Sequence, residues 1–298
     1  MTHTEDHPLH ADGFDFSVRV YPAESPTGAA LVWLHGGAFM GGTVHMPEAD
    51  QVGARLSALG TTVVSVEYTL SLRHPLAGPP LPQDGGPDAT DEMRAAAIAS
   101  RRPRSPYPTA SLQTVEAFTW TRRMAREWGT DPARICLGGA SAGGNLSAGA
   151  AVRLRDAGGA APRGLILVYP TLHARLPEPD PELAAFLEGL GPGLDFAPDH
   201  VAAISDTYLA GASPDEVYAF PGGHDMRGMP RTLIVNAERD RLRSSGEAFA
   251  ADLARSGVDV SVVCERGAIH GFLNTVGDPA GERTLARIAG FVSDARTS

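Results

Sequence analysis

Apolar runs rich in β-branched residues recur along the chain, each followed by a glycine-rich or acidic turn and then by a helical period. The runs are ALVWLHGG from Ala30, TTVVSVEY from Thr61, RICLGGAS from Arg134, GLILVYP from Gly164, TLIVNAE from Thr232 and VDVSVVCE from Val258. Runs apolar on both faces that alternate with helices predict an α/β protein with a mostly parallel central sheet and helices on both faces. FDFSVRVYPA, from Phe14, alternates apolar with polar residues. It reads as an earlier antiparallel strand with one face in water. Residues 112–128 carry Val115, Phe118, Thr119 and Met124 at helical spacing, and Gly129 stops the helix.

Two segments break this rhythm. Residues 71–108 are dense in proline and glycine, with an alanine-rich helical piece over residues 90–100. Residues 173–228 fall between two sheet strands and hold the helical fragments PELAAFLEGL and HVAAISDTYLAG. Structureless loops of such length are rare in compact domains, so each segment is expected to be a lid or cap. For the first, a solvent-facing insertion without a role is an equal alternative. The opening stretch MTHTEDHPLHADG reads as a polar terminus whose His3, His7 and His10 face water.

No repeat and no linker divides the chain, so its 298 residues are expected to form a single domain, residues 1–298, with the second segment inserted as a cap. At 43% hydrophobic and 20% charged residues, a sizeable core needs no metal or disulfide. The net charge of 25 − 35 = −10 argues against nucleic acid or an anionic membrane as partner. Cys136 and Cys264 both lie in apolar strand-like runs, which predicts two buried structural thiols in a reducing compartment. With no basic and apolar leader and no run long enough to span a bilayer, the expected location is cytoplasmic.

Chemistry concentrates in three places. GASAG, residues 139–143, matches Gly-x-Ser-x-Gly at a strand-to-helix turn, where a strained backbone lifts Ser141 above the sheet edge. The glycines are expected because neighbouring chains pass too close for side chains. A phosphate loop would end in Lys-Ser/Thr, and this one does not. Serine needs a base, and the base an orienting acid, following it in the order acid, then histidine. NAERDRLRSSG offers Asp240 after one late strand, and RGAIHGF offers His270 after the next. Glu238, the rival acid, comes too early and is expected to bond the backbone at the strand end. HGGAFMGG, residues 35–42, follows the strand from Ala30. Its glycine turn can aim fixed N–H donors at a developing oxyanion, each worth roughly 3–4 kcal/mol of barrier. Gly37, Ala38 and Ala142 are the first candidates for those donors and Gly36 the next. His35 is read as a hydrogen-bonder that shapes the turn.

Together HGGAF, GASAGGNL, AERDRLRSSGEAFA and IHGF, in this order from about residue 30 to the C-terminus, resemble the hormone-sensitive-lipase-like family of α/β-hydrolase esterases. The resemblance implies an α/β-hydrolase fold with an inserted helical cap, and a serine carboxylesterase acting on short or medium acyl chains or aryl esters. Ser141 would be nucleophile, Asp240 acid and His270 base, with Gly36, Gly37 and Ala38 forming the oxyanion hole. No cofactor and no metal is implied. The expected partner is a small-molecule ester, with no nucleic acid and no membrane span, and a homodimer is left open. Amidase, formamidase, lactonase or deacetylase action on the same triad is the alternative, and a non-catalytic ligand-binding protein of this fold the more distant one. The chain departs from the family pattern in four places. Ala38 stands at the usual third glycine, VEYTLSL replaces the usual Asp-Tyr-Arg-Leu-Ala-Pro-Glu run, the proline-rich insertion interrupts what should continue directly to YPTASLQT, and the segment before the glycine turn is short.

Overall fold

A computed structural model describes residues 3–74, 90, 101–188 and 196–294. Its centre is an eight-stranded sheet formed by β1 (Glu5–Ala11), β2 (Phe14–Tyr21), β3 (Ala29–Leu34), β4 (Thr61–Glu67), β5 (Ile135–Ala140), β6 (Leu165–Val168), β7 (Thr232–Arg239) and β8 (Val260–Ile269). The order across the sheet is β1-β2-β4-β3-β5-β6-β7-β8. The pairs β1/β2 and β2/β4 are antiparallel, and all the others are parallel. The helices are α1 (Pro47–Ala58), α2 (Thr109–Met124, continued by a 3-10 turn Ala125–Trp128), α3 (Ala142–Asp156), α4 (Pro181–Leu187), α5 (Pro198–Leu209), α6 (Arg243–Arg255) and α7 (Pro279–Ser293).

Strand alternation builds the two layers. In β3 all six residues are buried. Ala30, Val32 and Leu34 point to the side packed by Phe118 of α2, Leu146 of α3 and Phe249 of α6. Leu31 and Trp33 point to the other, with Val52 and Leu56 of α1 and Ile288 of α7. Such two-sided burial is why this strand reads as continuous apolar sequence. Helix starts follow local chemistry. Asp278 accepts N–H bonds from Ala280 and Gly281, and Pro279 fills the first helical position, where no N–H is needed. Gly129, left-handed at φ 66°, ends the α2 region as expected.

Two expectations fail at the sheet edges. The N-terminal stretch is not a tail in water but strand β1, registered against β2 from Glu5↔Val20 to Ala11↔Phe14. Asp12 and Gly13, both at positive φ, close the hairpin. His3 and His10 are exposed, but His7 is half-buried with its ring 5.1 Å from that of Trp120. Cys264 is exposed while Cys136 is buried, because β8 is the outermost strand and Val262 and Cys264 along it are only partly covered. The alanine-rich piece at residues 90–100 lies outside the described residues, apart from Thr90. In the second segment, α4 and α5 form where helical fragments were expected. No described helix is long and apolar enough to cross a membrane.

Candidate active site

The carboxyl ends of the parallel strands share one rim, where crevices of open α/β sheets form. β5 ends at Ala140, and Ser141 follows at φ 53°, ψ −117°, as α3 begins at the next residue. The turn is tight because chains cross beneath it. A β-carbon at Gly143 would stand 2.5 Å from the His35 carbonyl oxygen and still deeper in that of Leu34, and one at Gly139 would stand 2.6 Å from Leu34 O. Only glycine fits either place. The strained turn is anchored by Ser141 N–H donating to Val168 O (2.8 Å) and Asn145 N–H donating to Ser141 O (3.1 Å).

Asp240 follows β7 and His270 follows β8, so chain order and sheet order deliver both to the serine. The His270 Nδ1–H donates to Asp240 Oδ2 at 2.7 Å, and the Ser141 hydroxyl reaches His270 Nε2 at 3.0 Å. A carboxylate oxygen only accepts, so the proton on the ring sits at Nδ1, and Nε2 is left with a lone pair toward the hydroxyl. Asp240 is fully buried, and its Oδ1 accepts the Leu242 N–H (3.0 Å). Glu238 lies at the end of β7 and accepts the Gly267 N–H at 2.8 Å. It is a backbone partner, as its position implied. The imidazole is packed by two rings, Tyr169 at 4.9 Å and Phe196 at 4.5 Å. Neither was picked out from the sequence.

The His35–Gly42 turn comes down beside the serine: a β-carbon at Gly36 would be 3.5 Å from Ser141 Cβ. Gly37 adopts φ 121° with a β-carbon position 2.5 Å from the carbonyl carbon of Gly41, so no side chain is tolerated there. Among the described residues the N–H groups of Gly37, Ala38 and Ala142 have no protein partner. Gly36 differs, because its N–H donates to Glu48 Oε2 at 2.9 Å. It is therefore engaged beneath the turn and withdrawn from the set of available donors. His35 is fully buried, donates from Nδ1 to its neighbour's carbonyl, Gly36 O (2.7 Å), and stacks on Tyr68 at 4.3 Å. Burial lowers its pKa and keeps it neutral, a turn-shaping role. Glu48 was missed altogether. In sequence it looks like an acid placed in a helix's first turn to meet the helix dipole; in space it points back under the glycine turn. Its pKa is pushed up to about 7 by burial, against the two N–H donors that lower it.

Seven described non-glycine residues have positive φ, and five of them (Ala38, Phe39, Ser141, Tyr169 and Phe196) surround this rim. Strain of that kind collects at functional sites. A cavity of about 530 Å³ lies elsewhere, beside β2 and β4, lined by Phe14, Glu67, Leu70 and Arg102 among others and by none of Ser141, Asp240 and His270.

A family model for the alpha/beta hydrolase fold matches residues 31–84 and 98–274. This chain belongs to the α/β-hydrolase family, in its hormone-sensitive-lipase-like branch. Over 289 residues this α/β-hydrolase is 32% identical to carboxylesterase NlhH of Mycobacterium tuberculosis, covering 91% of this chain and 75% of that one. An arylesterase of Saccharolobus solfataricus is 26% identical over 294 residues, covering 96% and 81%. Among solved structures, EstE1, a thermophilic carboxylesterase from a metagenomic library, matches with TM-score 0.76 and 28% identity, covering 98% of this chain and 88% of that one. The family and these similarities make the chain a serine carboxylesterase.

Proposed function

We propose that Ser141, His270 and Asp240 are its catalytic triad and that it hydrolyses short- to medium-chain acyl or aryl esters through an acyl-enzyme. His270 Nε2 takes the Ser141 proton as the oxygen attacks the ester carbonyl, and Asp240 steadies the imidazolium that forms. The negative charge that develops on the carbonyl oxygen rests on the N–H groups of Gly37, Ala38 and Ala142, which need no reorganisation to receive it. The imidazolium returns its proton to the leaving alcohol, and water, activated by the same imidazole, then attacks the acyl group and frees the serine.

The observation that carries this reading is the continuous relay from Asp240 Oδ2 through His270 to Ser141 Oγ, at 2.7 and 3.0 Å. Small acyl groups are supported by what stands beside the turn. Phe39 stacks on Tyr208 of α5 at 4.0 Å, with Phe220 edge-on at 6.1 Å, so the inserted segment closes down as a cap next to Ala38.

The test is turnover of p-nitrophenyl acetate and butyrate by wild type and Ser141→Ala. Loss of roughly 10⁴-fold or more in kcat is expected. Equal rates would remove the triad.

A further inference from the structure

Glu48 is a buried carboxyl that the steps above leave unused. It is 1% exposed, and among the described residues no cation offsets its charge. Its lone pairs are met by two N–H donors instead: Gly36 N–H at Oε2 (2.9 Å) and the Trp33 indole N–H at Oε1 (2.6 Å). Both donors belong to one short piece of chain, the end of β3 and the first residue of the glycine turn proper. Of the other buried positions of α1, Ala49, Val52 and Leu56 are apolar and pack on the sheet, and the polar Gln51 and Ser57 are neutral donors to the carbonyls of Leu273 and Ala54. An apolar residue at position 48 would fill the same space without the cost of taking a carboxylate out of water. Gly36 stands between this carboxyl and the nucleophile, since a β-carbon built there lies 3.5 Å from both Glu48 Oε2 and Ser141 Cβ.

We infer that Glu48 is the positioning residue of the oxyanion turn: by holding the Gly36 N–H beneath the loop it fixes the orientation from which the next two amides, Gly37 and Ala38, present their hydrogens to the substrate oxygen. The inference rests on the reading of those amides as oxyanion donors. A charge-assisted bond is shorter and about twice as strong as a neutral one, which suits an anchor that must not slip. A displacement of about 1 Å at a reacting centre costs on the order of 10²-fold in rate.

The experiment uses Glu48→Gln, Glu48→Asp, Trp33→Phe and Ser141→Ala in the full chain. Each is assayed for p-nitrophenyl acetate turnover, for thermal midpoint, and for inhibition by an alkyl trifluoromethyl ketone, whose serine adduct places an oxyanion in the hole. Glutamine presents an NH₂ group to one of the two donors. Glu48→Gln is expected to lower kcat by about 10- to 100-fold, to leave KM within about threefold, and to weaken the ketone by the same factor as kcat. Glu48→Asp, which withdraws the carboxylate by one methylene, is expected to show the same paired loss at smaller size, and it decides the question if the glutamine variant does not fold. Trp33→Phe removes the other donor and keeps the Gly36 bond. It should lower the thermal midpoint while kcat stays within about twofold. A Glu48 variant with wild-type kcat, or one that loses kcat while binding the ketone as well as wild type, overturns the inference. Retained turnover in Ser141→Ala would instead sink the triad itself, so the two failures are told apart.

Discussion

The two glycine-rich turns that meet at the sheet rim are held in shape by different means. The turn at Ser141 is enforced by backbone: carbonyl oxygens of Leu34 and His35 occupy the space a β-carbon would need at Gly143, and Ser141 N–H is tied to Val168 O. The turn at residues 35–42 also closes on its own backbone, where Met40 and Gly41 N–H donate to Gly37 O, but in addition it hangs from side chains remote in sequence. Tyr68 OH donates to His35 O (3.0 Å), Glu48 takes the Gly36 N–H, Arg104 Nη1 donates to Met40 O (3.0 Å) and Glu67 takes the Val44 N–H just beyond (2.8 Å). A nucleophile must stand at one fixed point, and close-packed strands supply that without any adjustable part. Oxyanion donors must be aimed, and aim comes from polar contacts that each act on a single peptide.

The largest effect should come from breaking the first kind of support. Gly143→Ala forces a methyl group into the carbonyl oxygens of Leu34, at the end of β3, and of His35 just after it, and about 3 kcal/mol of destabilisation or more is expected, at or above the usual ceiling of overpacking costs. Gly36→Ala, in the other turn, meets nothing nearer than 3.4 Å, at Ala140 O, so its stability should stay within about 1 kcal/mol of wild type. Denaturant melts of the pair check this. Equal midpoints would erase the distinction between the turns.

A smaller effect tests the second kind. With its pKa raised from the ordinary 4.5 to about 7, the Glu48 carboxyl binds its proton more tightly in the folded chain than in the unfolded one. Between those values the folded state holds more protons, so this group's contribution to stability falls as pH rises from about 4.5 through 7 and the penalty is complete above that. Glutamine at position 48 does not titrate. The stability of Glu48→Gln relative to wild type should therefore improve from pH 5 to pH 8, by up to about 3 kcal/mol. The buried hydroxyls of Tyr68 and Tyr169, which feel the Glu48 charge, are held well above their ordinary pKa and do not titrate in this window. A pH-independent difference between the two proteins would mean that the Glu48 carboxyl holds its proton equally well in the folded and unfolded chains, so that its burial carries no charge penalty.

The same contrast sets what was legible in sequence. β3 to β8 and the order Ser141, Asp240, His270 could be read because each rests on a local pattern, an apolar strand and the turn after it. Backbone enforcement shows in composition, as the glycines around Ser141 do. Side-chain enforcement does not, because nothing near Glu48 in the chain tells that it faces Gly36 and not solvent. Strand β1 escaped because EDHPLHA, on an open edge, has only Leu9 and Ala11 as apolar residues on its inward face and His7 beside them, although Asp12-Gly13 was a hairpin signal. Cys264 was misplaced for a related reason: VDVSVVCE is as apolar as an inner strand, and only the topology shows it to be the outermost one. The insertion at residues 71–108 is described only at its two ends and at Thr90, and its expected role as a lid is untouched.

The smallest expected effect concerns Ala38, where the chain departs from the family's third glycine. Its φ of 53° is the left-handed region, which costs a residue with a β-carbon about 1–2 kcal/mol. Ala38→Gly removes that strain but enlarges the entropy of the unfolded chain by about 0.4–1 kcal/mol, so the net change should be within about 1 kcal/mol and the thermal midpoint nearly still. What should move is selectivity. The methyl group stands next to Phe39, the residue that stacks on Tyr208, and removing it frees space beside a proposed donor without touching the donor itself. The butyrate-to-acetate ratio of kcat/KM should rise by a few-fold, below the roughly 10-fold or more that a full methylene of pocket space commands. An unchanged ratio with an unchanged midpoint would show that the acyl chain runs away from this turn, and the Phe39–Tyr208 stack would then be a cap anchor and not a pocket wall.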